Sequence, residues 1–342
     1  MTTEVRISTE TASTARISTA LRSLARIPRW RGFGILAGLL VLLIVIGVLS
    51  PKFFSALSLL ELARGSALTG IMACGMMLLL SMQEIDLSVG STYALSMISG
   101  ALALQAGVNP WLAVVISIAA GVVLGAANGV LSVVFRLPLI LITLGTLSVY
   151  RGIIYIITGG QAIAGLPDNS MFDVLGGRWA GIPVMVVLLV VVAVVATAVY
   201  HLTPFGVRVR AIGSNRVAAE FSGVPIRRTI IQATAITGLL AGVCGAFMLA
   251  FFGNADPSVG TGLELQVLAA AILGGTALSG GAGSAGGAVL GAIFLNAINT
   301  ALIYLGLPST FSTFVTGLVI VVAVGLDSVI RRGALLQLFG RR

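Results

Sequence analysis

The sequence predicts an all-α fold, a polytopic membrane helix bundle of about ten transmembrane helices. Hydrophobic residues make up 58% of the 342 residues and charged residues only 9%, whereas a soluble domain has about 25% charged residues. The apolar runs are about 20 residues long, which is enough to cross a hydrocarbon core of ~30 Å. They lack the alternation of barrel strands, so helices must satisfy the backbone polar groups in lipid.

Ten apolar runs between helix breakers are the candidate spans: 33–50, 66–83, 89–107, 111–134, 138–158, 182–201, 230–252, 263–280, 284–305 and 310–330. The eighth run carries Gly-Gly pairs, so we expect a broken or re-entrant helix there. The chain then divides into a disordered basic tail over 1–32, a permease domain over 33–330 with a loop over 203–229, and a basic tail over 331–342.

Arginine placement predicts that both termini are cytoplasmic. With the N-terminus inside, sixteen arginines lie on the cytoplasmic side: six in the first tail, Arg136, five in the 203–229 loop and four at the end. Lys52, Arg64 and Arg178 lie outside. We expect Arg151, inside the fifth span, to snorkel to the outer interface, with contact to the solute as the alternative. Because the basic residues cluster between spans and form no groove-sized face, the net charge of +9 indicates orientation and no nucleic-acid partner.

An internal repeat relates spans two to five to spans seven to ten. Shifting the sequence by 170 positions aligns 74–91 with 244–261, with identities at both cysteines and through two Asp-x-Ser-Val-Gly motifs. Since five spans separate the copies, the second copy is inverted relative to the first. Inverted repeats are typical of transporters, whose solute pathway lies near the interface of the repeats.

The residues for several chemistries are missing. The only lysine, Lys52, follows Pro51, so the chain contains no phosphate-binding loop of a P-loop ATPase. One histidine, His201, and two separated cysteines, Cys74 and Cys244, form no metal or nucleophile constellation. We therefore expect no catalytic residue, no metal site and no cofactor in this chain, and we expect that it is not an enzyme.

Carboxylates beside two spans are candidates for the solute pathway, because ionisable groups in a membrane are costly and often functional. Either they cap a broken helix or they line the pathway directly. The candidate residues of the two motifs are Glu84, Asp86, Ser88, Gly90, Ser91, Asp256, Ser258, Gly260 and Glu264. In other spans, we expect Asn128, Asn296 and Asn299 to form interhelical hydrogen bonds.

The 203–229 loop contains a predicted short helix. Asn215 can cap its N-terminus, Gly223 can end it and Pro225 stops it. This helix is suited to docking in a groove of a partner, although an amphipathic connector on the membrane surface is the alternative. The residues assigned to coupling are Gly213, Asn215, Ala218, Ala219, Phe221 and Gly223.

These motifs resemble the ribose/xylose/galactose/rhamnose-type permeases of bacterial ABC sugar importers. The resemblance covers roughly residues 33–330 and is carried by Ile-Asp-Leu-Ser-Val-Gly-Ser at 85–91, Thr-Leu-Gly-Thr at 143–146, the Gly-x-Asn-x-x-Ala-Ala-x3-Gly motif at 213–223, Gly-Thr-Gly-Leu-Glu-Leu at 260–265, and the glycine pairs over 273–283. Glu84 is a departure, because the family commonly has glycine before Ile-Asp.

The resemblance implies a type II ABC importer-like fold in the bacterial cytoplasmic (inner) membrane. It implies a second permease copy or paralogue as dimer partner, and a sugar-type ABC ATPase that binds ATP and Mg and receives the 213–223 helix. A periplasmic or lipid-anchored sugar-binding protein would deliver a simple sugar, either a pentose, a hexose or a deoxyhexose. The alternatives are an ion-coupled secondary carrier, disfavoured by the lack of paired intramembrane charges, and an intramembrane enzyme, disfavoured by the missing His/Cys chemistry.

Overall fold

Helices make up nearly all regular structure in the computed structural model, which describes residues 33–308, 310–322 and 325. In chain order, the helices are α1 (Phe33–Leu49), α2 (Ala56–Leu80), α3 (Val89–Gln105), α4 (Pro110–Phe135), α5 (Leu139–Thr158), α6 (Ser170–Gly176), α7 (Val184–Leu202), α8 (Pro204–Ser214), α9 (Arg216–Phe221), α10 (Ile226–Phe252), α11 (Leu263–Leu273), α12 (Ala285–Tyr304) and α13 (Thr310–Val322). A 3-10 turn, Pro51–Phe54, precedes α2, and two short strands, β1 (Arg178–Trp179) and β2 (Ile182–Pro183), form a hairpin before α7.

Six of the described helices are long and apolar enough to cross a membrane: α2, α4, α5, α7, α10 and α12. Three shorter apolar helices fall on the first, eighth and tenth predicted spans, and the 17-residue α3 falls on the third. Every predicted span therefore contains a helix, and a polytopic helical membrane protein is confirmed. The total of ten transmembrane helices and the inverted repeat stay predictions, and both predicted tails lie outside the described residues.

The second span begins ten residues earlier than the sequence predicts. α2 starts at Ala56, where Ser55 accepts a hydrogen bond of 3.3 Å from the backbone N–H of Ser58. Arg64, expected outside the span, lies buried within α2, with an ion pair of 2.9 Å to Glu61 and its guanidinium 3.6 Å from the ring centroid of Phe251. These two contacts stabilise a charged side chain that, by hydropathy alone, was expected to lie outside the span.

α11 is too short to cross a bilayer. Its 11 residues extend about 16 Å at 1.5 Å per residue, roughly half of the hydrocarbon thickness. Gly275, Gly280 and Gly281, which follow it, have positive φ angles of 84°, 77° and 75°. Since such angles are readily adopted by glycine, the glycine pairs fold the chain back towards α12, as expected for the eighth span.

The 203–229 segment is more helical than the sequence predicts. α8 begins at Pro204 after the Thr203 hydroxyl accepts a hydrogen bond of 3.2 Å from Gly206 N, and α10 already begins at Ile226. The predicted short helix is present as α9, with Asn215 as its N-cap. Pro204 and Pro225 were taken as loop residues, but proline fits at or just before the first turn of a helix.

The core is formed by a crossed arrangement of the helices of the proposed copies. α2 packs mainly against α12, whereas α10 packs mainly against α4. α10 also packs on α3, and α11 packs on α2. The first helix of each copy, α2 or α10, therefore contacts the second and third helices of the other copy.

Glycine allows the α4–α10 contact. A Cβ added at Gly238 in α10 would overlap the carbonyl oxygen of Gly121 in α4, and a Cβ at Gly125 would overlap that of Thr234. Small residues at such positions let two backbones approach closely in a membrane. The α4–α10 backbone contact therefore cannot accept even a methyl group without a shift of one helix.

Gly238→Ala is expected to lower the thermal unfolding temperature of the purified protein in detergent, because overpacking of this kind typically costs about 1–3 kcal/mol. Gly145→Ala in α5 is the matched control, since an added Cβ there meets nothing within 4 Å. Equal unfolding temperatures for the two variants, measured by scanning fluorimetry, would contradict the close contact.

Candidate translocation site

The two Asp-x-Ser-Val-Gly motifs fold into the same hydrogen-bonded turn. In the first turn, residues 81–88, Asp86 Oδ1 accepts from the Ser88 backbone N–H at 2.8 Å and from its hydroxyl at 2.6 Å. In the second turn, residues 253–262, Asp256 Oδ1 accepts from the same two groups of Ser258 at 2.7 Å and 2.6 Å. The hydroxyls of Ser91 and Thr261 then donate to the carbonyls of Ser88 and Ser258 at 2.9 Å and 2.6 Å. The repeated sequence therefore encodes a repeated local structure.

The two turns have different surroundings. Asp86, Ser88 and Ser91 are 2%, 0% and 0% exposed, whereas Asp256 and Ser258 are exposed. The hydrogen bonds from Ser258 lower the pKa of the Asp256 carboxyl, because they favour its charged form. The second turn is therefore stabilised by a carboxylate that stays ionised at neutral pH, and protonation below the ordinary carboxyl range would weaken it.

The two motifs meet at their final glycines, Gly90 and Gly260. A Cβ at Gly90 would overlap the Gly260 carbonyl oxygen or the Glu264 carboxylate, and a Cβ at Gly260 would overlap the Gly90 carbonyl oxygen. Gly90 lies at the start of α3 and Gly260 just precedes α11. The two short helices thus begin at one point between the two predicted copies, and the Glu264 side chain lies at this point.

α5 holds both turns. In the first turn, Thr143 Oγ1 accepts from Leu87 N at 3.1 Å and lies 3.3 Å from the Ile85 carbonyl. In the second turn, Arg151 Nη1 donates to the carbonyls of Pro257 and Val259 at 2.9 Å and 2.8 Å. Carbonyls left free by the helix break thus provide Arg151 with partners, and its expected position at the outer interface stays a prediction.

A polar network connects the first turn to α4 and α5. The Asn128 amide nitrogen donates to the Ser88 hydroxyl at 2.7 Å, and the Tyr150 hydroxyl donates to Asn128 Oδ1 at 3.0 Å. Asn296 donates to Thr69 at 3.1 Å, and Asn299 accepts from Ser312 at 2.6 Å. The prediction of interhelical hydrogen bonds at the three asparagines is confirmed.

A cavity of about 270 Å³ opens beside the meeting point of the turns. Its polar side chains are the hydroxyls of Thr261, Ser312, Thr313 and Thr316 and the amide of Gln266. Leu68, Met248 and Phe252 supply apolar surface, and no Asp, Glu, Lys, Arg or His is among the described residues that line it. Of the residues singled out in the two motifs, Gly260 lies in this lining. The cavity is suited to a small, neutral, hydroxylated solute.

A second cavity, of about 410 Å³, lies on the side of the bundle that carries α9. Arg136, Arg216 and Arg227 line it together with Gln83 and Glu84. Glu84 is 7% exposed and forms an ion pair of 2.8 Å with Arg216. Glu84 therefore connects the first turn to the start of α9, well away from the uncharged cavity.

α9 has the features predicted from its sequence. Asn215 Oδ1 accepts from the Ala218 N–H at 3.0 Å, and Gly223 has a φ angle of 78° after the helix ends. Phe221 is 89% exposed, while Ala219 packs into the bundle at 5%. Gly213 lies against the first turn, where a Cβ would overlap the Ser81 carbonyl oxygen.

Sequence reasoning missed the polar lining contributed by α11 and α13. Ser312, Thr313 and Thr316 recur at helical spacing, so they form one polar stripe in an apolar run. This spacing of hydroxyl residues is the feature of the sequence that could have indicated the polar lining. Gln266 carried no such signal, because a single amide next to Glu264 has many possible orientations.

Apolar spanning helices around two broken-helix turns and an uncharged cavity define a multi-pass membrane permease. Residues 58–324 match the family described as branched-chain amino acid transport system / permease component. Since this match covers most of the chain, the chain belongs to that family of permease components.

Named relatives cover most of the chain. It is similar to the ribose import permease protein RbsC of Bacillus subtilis, with 38% identity over 85% of this chain and 90% of that protein. It is also similar to the autoinducer 2 import system permease protein LsrC of Klebsiella pneumoniae, with 35% identity over 86% of this chain and 85% of that protein. The L-arabinose transport system permease protein AraH of Escherichia coli is 30% identical over 87% of this chain and 90% of its own length. No solved structure matches the chain.

Asn128→Ala is expected to destabilise the protein by about 1–3 kcal/mol, because the buried hydroxyls of Ser88 and Tyr150 each lose a partner. The measurement is the thermal unfolding temperature in detergent. Asn254→Ala is the control, since its side chain bonds only to the nearby Phe252 carbonyl at the surface. An Asn128 variant as stable as the control would contradict the network.

Proposed function

We propose that this chain is the permease subunit of an ABC importer for a simple neutral sugar, a pentose, a hexose or a deoxyhexose. A periplasmic or lipid-anchored binding protein delivers the sugar, and a partner ATPase that binds ATP and Mg drives import. The permease works as a dimer with a second copy or a paralogue. Both termini lie in the cytoplasm, so that α9 faces the ATPase.

The observation that carries this proposal is the uncharged cavity beside Gly260. Hydroxyl and amide groups can replace the hydration of a sugar, and its apolar residues can contact a sugar ring. An ionic solute would require buried charges of opposite sign in the lining. The relatives include a ribose import permease and an L-arabinose transport system permease, which supports the same solute class.

The repeated turns support a type II importer-like fold with an inverted repeat of spans two to five and seven to ten. Under that symmetry, the α2–α12 contact corresponds to the α10–α4 contact, and the α3–α10 contact to the α11–α2 contact. The short helices α3 and α11 then occupy equivalent positions in a ten-helix subunit. The solute pathway lies where the two copies meet.

The exposed apolar side chains of α9 support its role in docking. Val217 and Phe221 are 64% and 89% exposed, and the helix that carries them begins at the basic residue Arg216. An exposed aromatic side chain is a common anchor in protein interfaces. A membrane-surface connector would also expose such residues, so direct binding to the ATPase distinguishes the two interpretations.

Reconstitution tests the whole proposal. The full chain is placed in proteoliposomes with a sugar-type ATPase and a binding protein from neighbouring genes, and labelled pentoses, hexoses and deoxyhexoses are offered. ATP-dependent uptake that requires the binding protein is the expected result. Uptake by the chain alone, driven by a proton gradient, would contradict the proposal in favour of an ion-coupled carrier.

Gln266→Leu is expected to lower the uptake rate about threefold to tenfold, because one solute hydrogen bond is worth about 0.5–1.5 kcal/mol. Gln161→Leu, in the exposed loop after α5, is the matched control and should transport normally. Equal uptake by the two variants at limiting sugar would exclude the cavity from the pathway.

Ala218→Trp is expected to abolish uptake and to weaken ATPase binding, because a bulky side chain on exposed α9 obstructs docking without disturbing the bundle. Ala162→Trp places the same side chain on an exposed loop elsewhere and serves as control. Co-purification with the ATPase and membrane insertion are measured together. Normal uptake by a fully inserted Ala218 variant would contradict the docking role.

A further inference from the structure

Three segments meet where α9 joins the bundle. Ser81, in the first turn, accepts a hydrogen bond of 2.9 Å from the backbone N–H of Gly281, in the segment before α12. The close approach of Gly213 brings the end of α8 against the same Ser81 carbonyl. The first turn, the α8–α9 junction and the glycine segment after α11 are therefore in direct backbone contact.

Gln83 joins all three segments with one side chain. Its Nε2 donates to the Gly213 carbonyl at 2.9 Å and to the Ser279 carbonyl at 2.6 Å. Gln83 itself has a φ angle of 64°, which is unfavourable for a residue other than glycine. The two hydrogen bonds offset this cost, since they require the side chain to project between α8 and the glycine segment.

Glu84 adds an ionic connection at the next position. One carboxylate oxygen pairs with Arg216 at 2.8 Å, and the other accepts from Leu139 N at 3.4 Å. Arg216 is the first residue of α9, and Leu139 is the first residue of α5. A single carboxylate, with its side chain only 8% exposed, thus links the first turn to α9 and to the helix that holds both turns.

The contacts of Gln83 with Gly213 and Ser279, and of Glu84 with Arg216, are short. Removal of Arg216 would leave the buried Glu84 carboxylate with fewer donors, so the pair cannot separate freely when α9 moves. Asp86, which organises the first turn, lies only two residues beyond Glu84. A displacement of α9 therefore has a continuous path to the first turn and, through Gln83 and Ser279, to the segment after α11.

We propose that Gln83 and Glu84 are positioning residues that transmit movement of α9 to the first turn and to the glycine segment after α11. This inference rests on the proposed function, in which an ATPase moves α9. It assigns to this chain a mechanical connection that docking alone does not provide. Variants of these residues should bind the ATPase normally but use its ATP hydrolysis inefficiently.

The test compares Glu84→Gln, Arg216→Gln and the double variant in the reconstituted importer. The measured quantity is sugar imported per ATP hydrolysed, together with affinity for the ATPase. Each single variant is expected to reduce this ratio about fivefold or more, the range of a site–site coupling energy. Glu84→Gln, which lies outside α9, should leave ATPase affinity unchanged. The double variant should be no worse than either single variant, because both disrupt one interaction.

Glu61→Gln is the matched control. It breaks the other ion pair among the described residues, Glu61–Arg64, whose two members both lie in α2. This control should keep the wild-type ratio. Arg216→Gln, at a half-exposed side chain, remains informative if the buried Glu84 variant folds poorly.

Two results would overturn the inference while leaving the proposed function intact: a wild-type ratio in both single variants, or strictly additive losses in the double variant. Loss of ATPase affinity in step with uptake in Glu84→Gln would also overturn it, since Glu84 would then act in docking. A wild-type complex that imports nothing would overturn the proposed function itself, and with it the transmission role.

Discussion

Every backbone polar group inside a bilayer needs a partner, and this chain interrupts its helices at two turns. The breaks at the first and second turns free N–H and carbonyl groups that an uninterrupted helix would pair. Asp86 and Asp256 satisfy the N–H groups of Ser88 and Ser258, while Arg151 satisfies two carbonyls of the second turn. Ile163 and Ala255 exchange two further backbone hydrogen bonds of 2.9 Å. The cavity beside Gly260 exists because these partners hold the breaks in a fixed shape.

Close helix packing supplies the framework for those breaks. The α4–α10 contact depends on glycines, and it places Asn128 within reach of Ser88. Bulky residues at the same positions would separate α4 from α10 and remove the network around the first turn. Small residues therefore act at a distance from the cavity, by setting which polar side chains can meet.

Much of this arrangement follows from the sequence. Each of the ten runs predicted from hydropathy contains a helix, and the Asp-x-Ser-Val-Gly repeat identified both turns, because these signals are local. The N-cap at Asn215 could likewise be predicted from neighbouring residues alone. Arg64 was misjudged, and the partners of Arg151 were not predicted. The groups that contact these two arginines, Phe251 and the Pro257 carbonyl, come from distant segments. The polar lining of the cavity escaped notice for the same reason: α11 and α13 meet only in the folded chain.

The attachment of α5 to both turns has a geometric consequence. Thr143 and Arg151 are eight residues apart, or about 12 Å along the axis, and each forms hydrogen bonds with a different turn. A rigid rod held at two points moves those points in opposite directions when it tilts about its middle. Tilting of this one helix would therefore push one turn inward as it draws the other outward, which is the reciprocity that alternating access requires.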